Sequence, residues 1–244
     1  MEIGNKIKNL LIQFFGLINN SKKSKCIFYH DIHASITYTN MSTSIEMFEK
    51  HIQNIRRKGF EIVHSITKKN KQIEISFDDG FKGVYKNIEL INRLKVPITV
   101  FVVSSYIDKQ NYLSAIQLKE ISKNPFIKIE SHSHTHPNLA LLSDEKLKIE
   151  FIQSKKILEK ICEDKITSIC YPEGFFNKKV IQCAKDAGYD KQYSSLPGLF
   201  IKDVFPNIKR RSLVQFSSVS QFNSILKGGD HFLSLWYSIK HLTR

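Results

Sequence analysis

The sequence predicts an α/β fold, a barrel-like domain of about seven strands, and two observations carry that prediction. From Cys26 onward, short runs rich in β-branched and aromatic residues alternate with helical patterns, the form expected of repeated βα units around a parallel sheet. In addition, the residues best suited to chemistry fall directly after predicted strands, where such folds build their sites. Strands are expected at Cys26–Tyr29, Glu61–Ser65, Ile73–Phe77, Ile98–Val103, Ile127–Ser131, Thr167–Tyr171 and Tyr189–Tyr193. This count favours a barrel over an open sheet, although the pattern alone does not encode closure.

The helices between them have recognisable ends. Thr43 and Glu46 form a capping-box pattern ahead of Ile45, Phe48, Ile52 and Ile55, which share one face, and Gly59 follows as a stop. Ser143 is placed to cap a long helix carrying Leu147, Phe151, Leu158 and Ile161, and a helix over Lys178–Ala187 ends at Gly188.

The chain has 244 residues, 41% hydrophobic and 25% charged, enough for one sizeable core. The expected organisation is an amphipathic N-terminal extension over 1–24, a catalytic domain over 25–215 and a helical C-terminal extension over 216–244. Cys26, Cys162, Cys170 and Cys183 form neither a CxxC pair nor a ligand cluster, so free thiols and a reducing compartment are expected. The net charge of +14 favours anionic partners. Its lysines are dispersed and accompany no nucleic-acid motif, so no nucleic acid is expected. The apolar run over 8–18 is far shorter than the ~20 residues that span a bilayer. Lysines flank it and no small-residue cleavage site follows, which disfavours a removable signal. An amphipathic helix on a membrane surface, or docked on the domain, fits better. The expected location is cytoplasmic or peripheral at a membrane, with export left open.

Two clusters carry the chemistry. Ile73–Phe77 runs into Asp78-Asp79-Gly80, two adjacent carboxylates at a strand end where glycine permits a sharp turn. Their mutual repulsion is relieved by a cation, with one carboxylate ligating and the other left to accept a proton. The second cluster, Glu130-Ser-His-Ser-His-Thr-His136, places three imidazoles within five positions after another strand. Two histidines four apart with a distant aspartate give two nitrogens and one oxygen, the open ligand set of a catalytic site. Asp78-Asp79-Gly80 alone reads more readily as a turn, and its conjunction with the histidine cluster outweighs that reading. His134, between the two outer histidines, reads as a solvated or supporting residue.

Ser76-Phe-Asp-Asp-Gly80 and Ser131-His-Ser-His-Thr-His-Pro-Asn-Leu139 resemble the first two motifs of the polysaccharide deacetylase family, the NodB-homology or fourth carbohydrate esterase family. The resemblance extends from Cys26 to Leu213. It implies a distorted (β/α) barrel of the NodB type, with Asp78 as general base and Asp79, His132 and His136 as metal ligands. Zn²⁺ is the first choice, with Co²⁺, Ni²⁺ or Fe²⁺ as alternatives. The implied partner is a carbohydrate carrying N-acetyl groups.

The third motif departs from the family. Cys170-Tyr-Pro-Glu-Gly174 lacks the leading arginine and carries Glu173 in place of tyrosine, closer to the Tyr-Pro-x-Gly form of biofilm-polysaccharide deacetylases. A backbone N–H near Glu173 is the candidate oxyanion donor. Tyr171 reads as pocket wall and Cys170 as a small buried hydrophobe. The late leucine-x-histidine motif is absent from its expected context, but Phe28-Tyr-His-Asp-Ile32 resembles the early Tyr-His segment of a circularly permuted subgroup. That makes His30 the expected general acid, its rival reading being a hydrogen-bonded core histidine. Arg210 is expected to orient the base, with Arg211 the competing choice. The implied reaction is hydrolysis of an acetamido group with Asp78 as base and His30 as acid. The alternative is an inactive, sugar-binding member of the same fold, motivated by the missing third-motif arginine.

Overall fold

The computed structural model of the protein describes residues 2–199 and 208–234. Its strands are β1 (Lys25–Tyr29), β2 (Asp31–His33), β3 (Ser42–Ser44), β4 (Glu61–Ile62), β5 (Gln72–Phe77), β6 (Ile98–Val102), β7 (Ile127–Ser131), β8 (Ser168–Cys170), β9 (Lys191–Tyr193), β10 (Ile208–Lys209) and β11 (Arg211–Leu213). The helices are α1 (Glu2–Ile18), α2 (Ile45–Arg57), α3 (Gly83–Lys86), α4 (Ile88–Leu94), α5 (Ala115–Ile121), α6 (Asp144–Cys162), α7 (Lys178–Asp186) and α8 (Val219–Leu226). Neighbours in the main sheet run β10-β9-β8-β7-β6-β5-β1-β11, and every pairing is parallel.

The two ends of that order are one stretch of chain. β10 pairs with β9 through Ile208 and Lys209, and β11 pairs with β1 through Arg211, Ser212 and Leu213. Only Arg210 separates them, so the run 208–213 closes the sheet into a distorted barrel of the NodB type. β4 is an appendage on the start of β5.

Alternation along each strand sorts the barrel's two sides. Ile27, Ile73, Ile75, Phe77, Val100 and Ile129 pack outward in one core with Phe48 and Ile52 of α2, Ile91 of α4, Leu118 of α5 and Phe151 of α6. A smaller cluster of Cys26, Phe101, Cys170 and Tyr193 fills the interior. Below the mouth the interior is polar: Lys209 Nζ reaches both Glu74 carboxylate oxygens (3.0 and 3.2 Å), and Tyr193 donates its hydroxyl to Glu74 at 2.7 Å.

Several helix signals behave as expected. Ser143 caps α6 by accepting from Lys146 N, and α7 ends before Gly188, whose φ is 82°. The cap of α2 differs: Ser44, not Thr43, accepts from Met47 N. Thr43 instead donates its hydroxyl to Gln215 O at 2.8 Å, because that long-range acceptor competes with the local cap. The expected strand over Glu61–Ser65 stops at Ile62, and the closing run 208–213 was not expected as a strand.

α1 and α8 cover the closing strand. A Cβ on Gly16 would lie 2.4 Å from Ser224 Cβ, so these helices touch backbone to backbone. On its other side α8 stacks Phe222 on His51 of α2, with ring centroids 3.9 Å apart. Beyond α8, Asp230 pairs with Lys25 Nζ of β1 at 2.6 Å, both fully buried, and Ser212 of β11 hydrogen-bonds both groups. Residues 235–244 of the expected C-terminal extension lie outside the described residues.

Removing one partner of a buried ion pair strands the other charge. Asp230→Ala should therefore lower unfolding stability by about 3–5 kcal/mol in urea titrations. The apolar pair Lys25→Met with Asp230→Leu should cost less than Asp230→Ala alone.

Candidate metal centre and active site

Because all ring strands are parallel, the segments leaving their C-terminal ends meet at one mouth. Asp78 and Asp79 follow β5, His132 and His136 follow β7, Tyr171–Gly174 follows β8, and His30 follows β1. The backbone there is contorted: Asp79, Ser133 and His136 all have positive φ (70°, 67° and 63°). Non-glycine residues hold such angles at a cost, and they concentrate at functional sites. Ser133 sustains its turn by accepting from His136 N at 3.1 Å.

The turn at Asp79 sends the two adjacent carboxylates to different partners. Asp79 Oδ1 lies 3.5 Å from Nε2 of both His132 and His136, and although buried it has no hydrogen-bond partner among the described residues. His132 Nδ1 donates to Cys170 O at 2.8 Å, which leaves Nε2 as the lone-pair nitrogen facing Asp79. Burial pushes His132 down to about 4 against the pull of both aspartates, so the ring is neutral at neutral pH, as a ligand must be. An orphaned carboxylate oxygen beside two imidazole nitrogens fits a divalent transition metal. A second grouping, Asp78, His132 and Cys170, also falls within ligand range. It fits less well, because both Asp78 oxygens are already engaged and burial pushes the Cys170 thiol well up.

Asp78 is held by an arginine. Arg211 Nη1 and Nη2 donate to Asp78 Oδ1 and Oδ2 at 2.7 Å each, a bidentate pair on a fully buried guanidinium. Arg211 also donates to Ser76 Oγ and Cys170 Sγ, and it lies 4.3 Å from the Phe28 ring centroid. Burial raises the Asp78 carboxyl, but the Arg211 charge and hydrogen bonds outweigh it, with His132 and His30 adding to them, and hold it at about 2.

This corrects the expectation for Arg210, whose Nη1 donates to Pro197 O at 3.2 Å. Strand alternation is the reason. Lys209 and Arg211 share the inward face, toward Glu74 of β5 and Asp78 directly after it, and Arg210 between them points the other way.

His30 is half-buried at the mouth, and its Nδ1 lies 2.6 Å from Gln215 Oε1. With the amide oxygen accepting from Nδ1–H, Nε2 is the nitrogen left for the mouth. Glu173 sits on the loop after β8 with φ 55°; its side chain is exposed and its carbonyl accepts from Ser195 Oγ at 3.1 Å. His134 bonds Ser104 Oγ through Nδ1 at 2.8 Å.

Sequence reasoning missed three supports of this site. Glu150 of α6 accepts from the backbone N–H of His134 and Thr135, each at 2.8 Å, and so ties the histidine loop to a helix. Gln215 orients His30. Tyr106, Tyr112 and Phe81 stack as an aromatic wall beside His136: the Tyr106 ring lies 6.4 Å from the His136 ring, and Phe81 and Tyr112 lie 4.6 Å apart. None had a local signal, although an acidic residue on the helix after the histidine motif was there to be asked about.

Comparison with known proteins agrees with this architecture. The polysaccharide deacetylase family model matches residues 65–191, just over half of the chain, and the protein belongs to that family. It is 25% identical over 215 residues to the poly-β-1,6-N-acetyl-D-glucosamine N-deacetylase of Staphylococcus aureus (strain MRSA252), covering 82% of this chain and 70% of that one. A polysaccharide deacetylase structure from Bacillus cereus superposes with a TM-score of 0.73 at 25% identity, over 84% of this chain and 69% of that one. The Streptococcus pyogenes deacetylase PplD, solved in complex with acetate, shares the fold with a TM-score of 0.74 at 19% identity, over 84% and 98% of the two chains. Family membership and the Asp/His cluster together support a metal-dependent deacetylase.

His132→Ala and Asp79→Ala should each abolish retention of zinc through gel filtration, measured by elemental analysis, because a three-ligand cradle losing one donor holds the ion poorly. Arg211→Met leaves Asp78 with burial but without its counter-charge. The carboxyl should rise from about 2, and the acid limb of kcat/KM should move to higher pH.

Proposed function

We propose that the protein hydrolyses N-acetyl groups from acetamido sugars of a polysaccharide or glycolipid. The observation that carries this reading is the Asp78–Arg211 pair set beside the Asp79, His132 and His136 cradle at one barrel mouth. Asp79, His132 and His136 would hold the metal, Zn²⁺ first and otherwise Co²⁺, Ni²⁺ or Fe²⁺. Such an ion supplies Lewis-acid activation of water and polarises the acyl carbonyl.

The chain's own groups do the rest. Asp78, kept ionised by Arg211, accepts the proton of the attacking water on a carboxylate oxygen. Arg211 keeps that carboxylate from turning toward the cradle. A backbone N–H at Glu173 donates to the developing oxyanion, a role that depends on the loop and not on the side chain. His30, its Nδ1 tied to Gln215, delivers the Nε2 proton to the leaving amine, which departs as a free amino sugar with acetate as co-product. Tyr106 and Tyr112 offer the faces against which a sugar ring packs.

We assign the protein to the circularly permuted, biofilm-polysaccharide type within the family. His30 directly after β1 and the Tyr171-Pro-x-Gly174 form support this, as does similarity to the staphylococcal N-deacetylase. The inactive sugar-binding alternative rested on the missing third-motif arginine, and Arg211 brings a guanidinium to Asp78 from another strand.

The direct test is acetate release from N-acetylhexosamine oligomers and acetylated glycolipids, with and without added zinc; no release from any substrate by fully metal-loaded protein would favour the binding alternative. Asp78→Asn should keep its metal and lose most activity. His30→Ala should keep fold and metal while kcat falls by roughly 10²–10⁴ on amides, and by less on activated acetate esters, whose leaving groups need little protonation. Equal losses on both substrates in a protein of lowered melting temperature would mark His30 as a core histidine instead.

A further inference from the structure

α1 presents its apolar residues to solvent. Ile7, Leu10, Leu11, Phe14, Leu17 and Ile18 recur at steps of three and four, which places them on one stripe, and each is between 40% and 79% exposed. The opposite side is the packed one: Ile12 and Gly16 are buried, and Asn9 accepts from Gln221 of α8 at 2.7 Å. Two close backbone approaches lock this orientation. A Cβ on Gly16 would strike Ser224, and one on Gly229 would lie 2.3 Å from Ile12 O. The helix cannot roll its stripe inward without breaking both.

We propose that this face of α1 docks onto an anionic lipid surface. A contiguous apolar stripe of this kind marks a contact with something outside the chain, and the charge around it selects the occupant. Residues 5–24 contain Lys6, Lys8, Lys22 and Lys23 and no Asp or Glu, in a chain of net charge +14. Apolar side chains bracketed by lysines match a bilayer whose headgroups are negative. A second copy of the chain would bring the same lysines together, and a single helix face offers little of the roughly 800 Å² per partner usual in stable interfaces. Among the described residues no helix is long and apolar enough to cross a membrane, so the contact is one of lying on the surface.

The docking face also has a fixed relation to the site. A cavity of about 350 Å³ is lined on one side by Lys8, Asn9 and Ile12 of α1 and on the other by Phe28, Leu213 and Phe216. Leu213 and Phe216 flank Gln215, the partner of His30. The packed face of α1 is thereby held in a fixed place relative to the loop that carries Gln215. The contact itself does not depend on the reaction proposed above.

The test is co-sedimentation of the full chain with phosphatidylcholine vesicles, with and without phosphatidylglycerol. The wild type should pellet with phosphatidylglycerol vesicles, less so as salt rises. The variant Leu10→Ser, Phe14→Ser, Leu17→Ser should reduce the bound fraction about tenfold or more while keeping its circular dichroism and zinc content, since all three side chains are exposed among the described residues. If that variant does not fold, Leu17→Glu alone, at the most exposed of the six positions, should show the loss. No binding of folded wild type to phosphatidylglycerol vesicles would overturn the proposal. So would undiminished binding by the folded variants, or a wild-type dimer that the substitutions convert to monomer.

Discussion

The bidentate pair between Arg211 and Asp78 is the interaction on which the rest of the structure depends. A guanidinium that is 1% exposed survives only if its charge is matched and its donors are used. Asp78, Ser76, Cys170 and Ser194 O together take those donors. Arg211 lies on β11 and Asp78 directly after β5, the two strands that flank β1, so the pair bridges them on the interior side of β1. One layer below, Lys209 of β10 and Glu74 of β5 repeat the arrangement. Two ion pairs in step fix the register of the closing strand, because a slip of one residue would turn Arg210 inward and leave both carboxylates unmatched.

The pair also explains how adjacent aspartates can have different environments. Asp78 faces the guanidinium and is held well below the usual carboxylate range. Asp79, turned away by its positive φ, faces two imidazole nitrogens with an oxygen unsatisfied among the described residues. A single contorted turn thus places a carboxylate suited to accepting a proton next to one suited to ligating a cation. Gly80, at φ 80° and against Val102, lets the chain leave that turn.

The parts legible in the sequence were those written locally. Strand periodicity and the aspartates and histidines after β5 and β7 needed no knowledge of distant contacts, and the seven expected strands each overlap an observed one. The closing strand was not legible, because Ile208–Leu213 mixes lysine, arginine and serine with few apolar residues. Its charges look like a solvated face until Glu74 and Asp78 are set opposite. The choice between Arg210 and Arg211 turned on that unseen strand, since only its alternation says which side chain points inward. Gln215, Glu150 and the Tyr106–Tyr112 wall were equally hidden, each defined by what it meets from another element. Thr43 failed as a cap for the same reason, drawn away by Gln215 O.

Closure by the run 208–213 divides the site by distance along the chain. Asp79, His132 and His136 lie within 57 residues of one another on β5, β7 and their loops, with only β6 between those strands. The cradle can thus take shape while the sheet is still open. Arg211 and Gln215 come from the far end of the chain, and their contacts with Asp78 and His30 carry the greater loop-closure entropy. A chain halted before Ile208 would carry a metal cradle with its neighbouring carboxylate untethered and His30 without its amide partner. The two tasks proposed for the site, holding a cation and handling a proton, thus draw on parts of the chain that lie far apart in sequence and meet only where the barrel shuts.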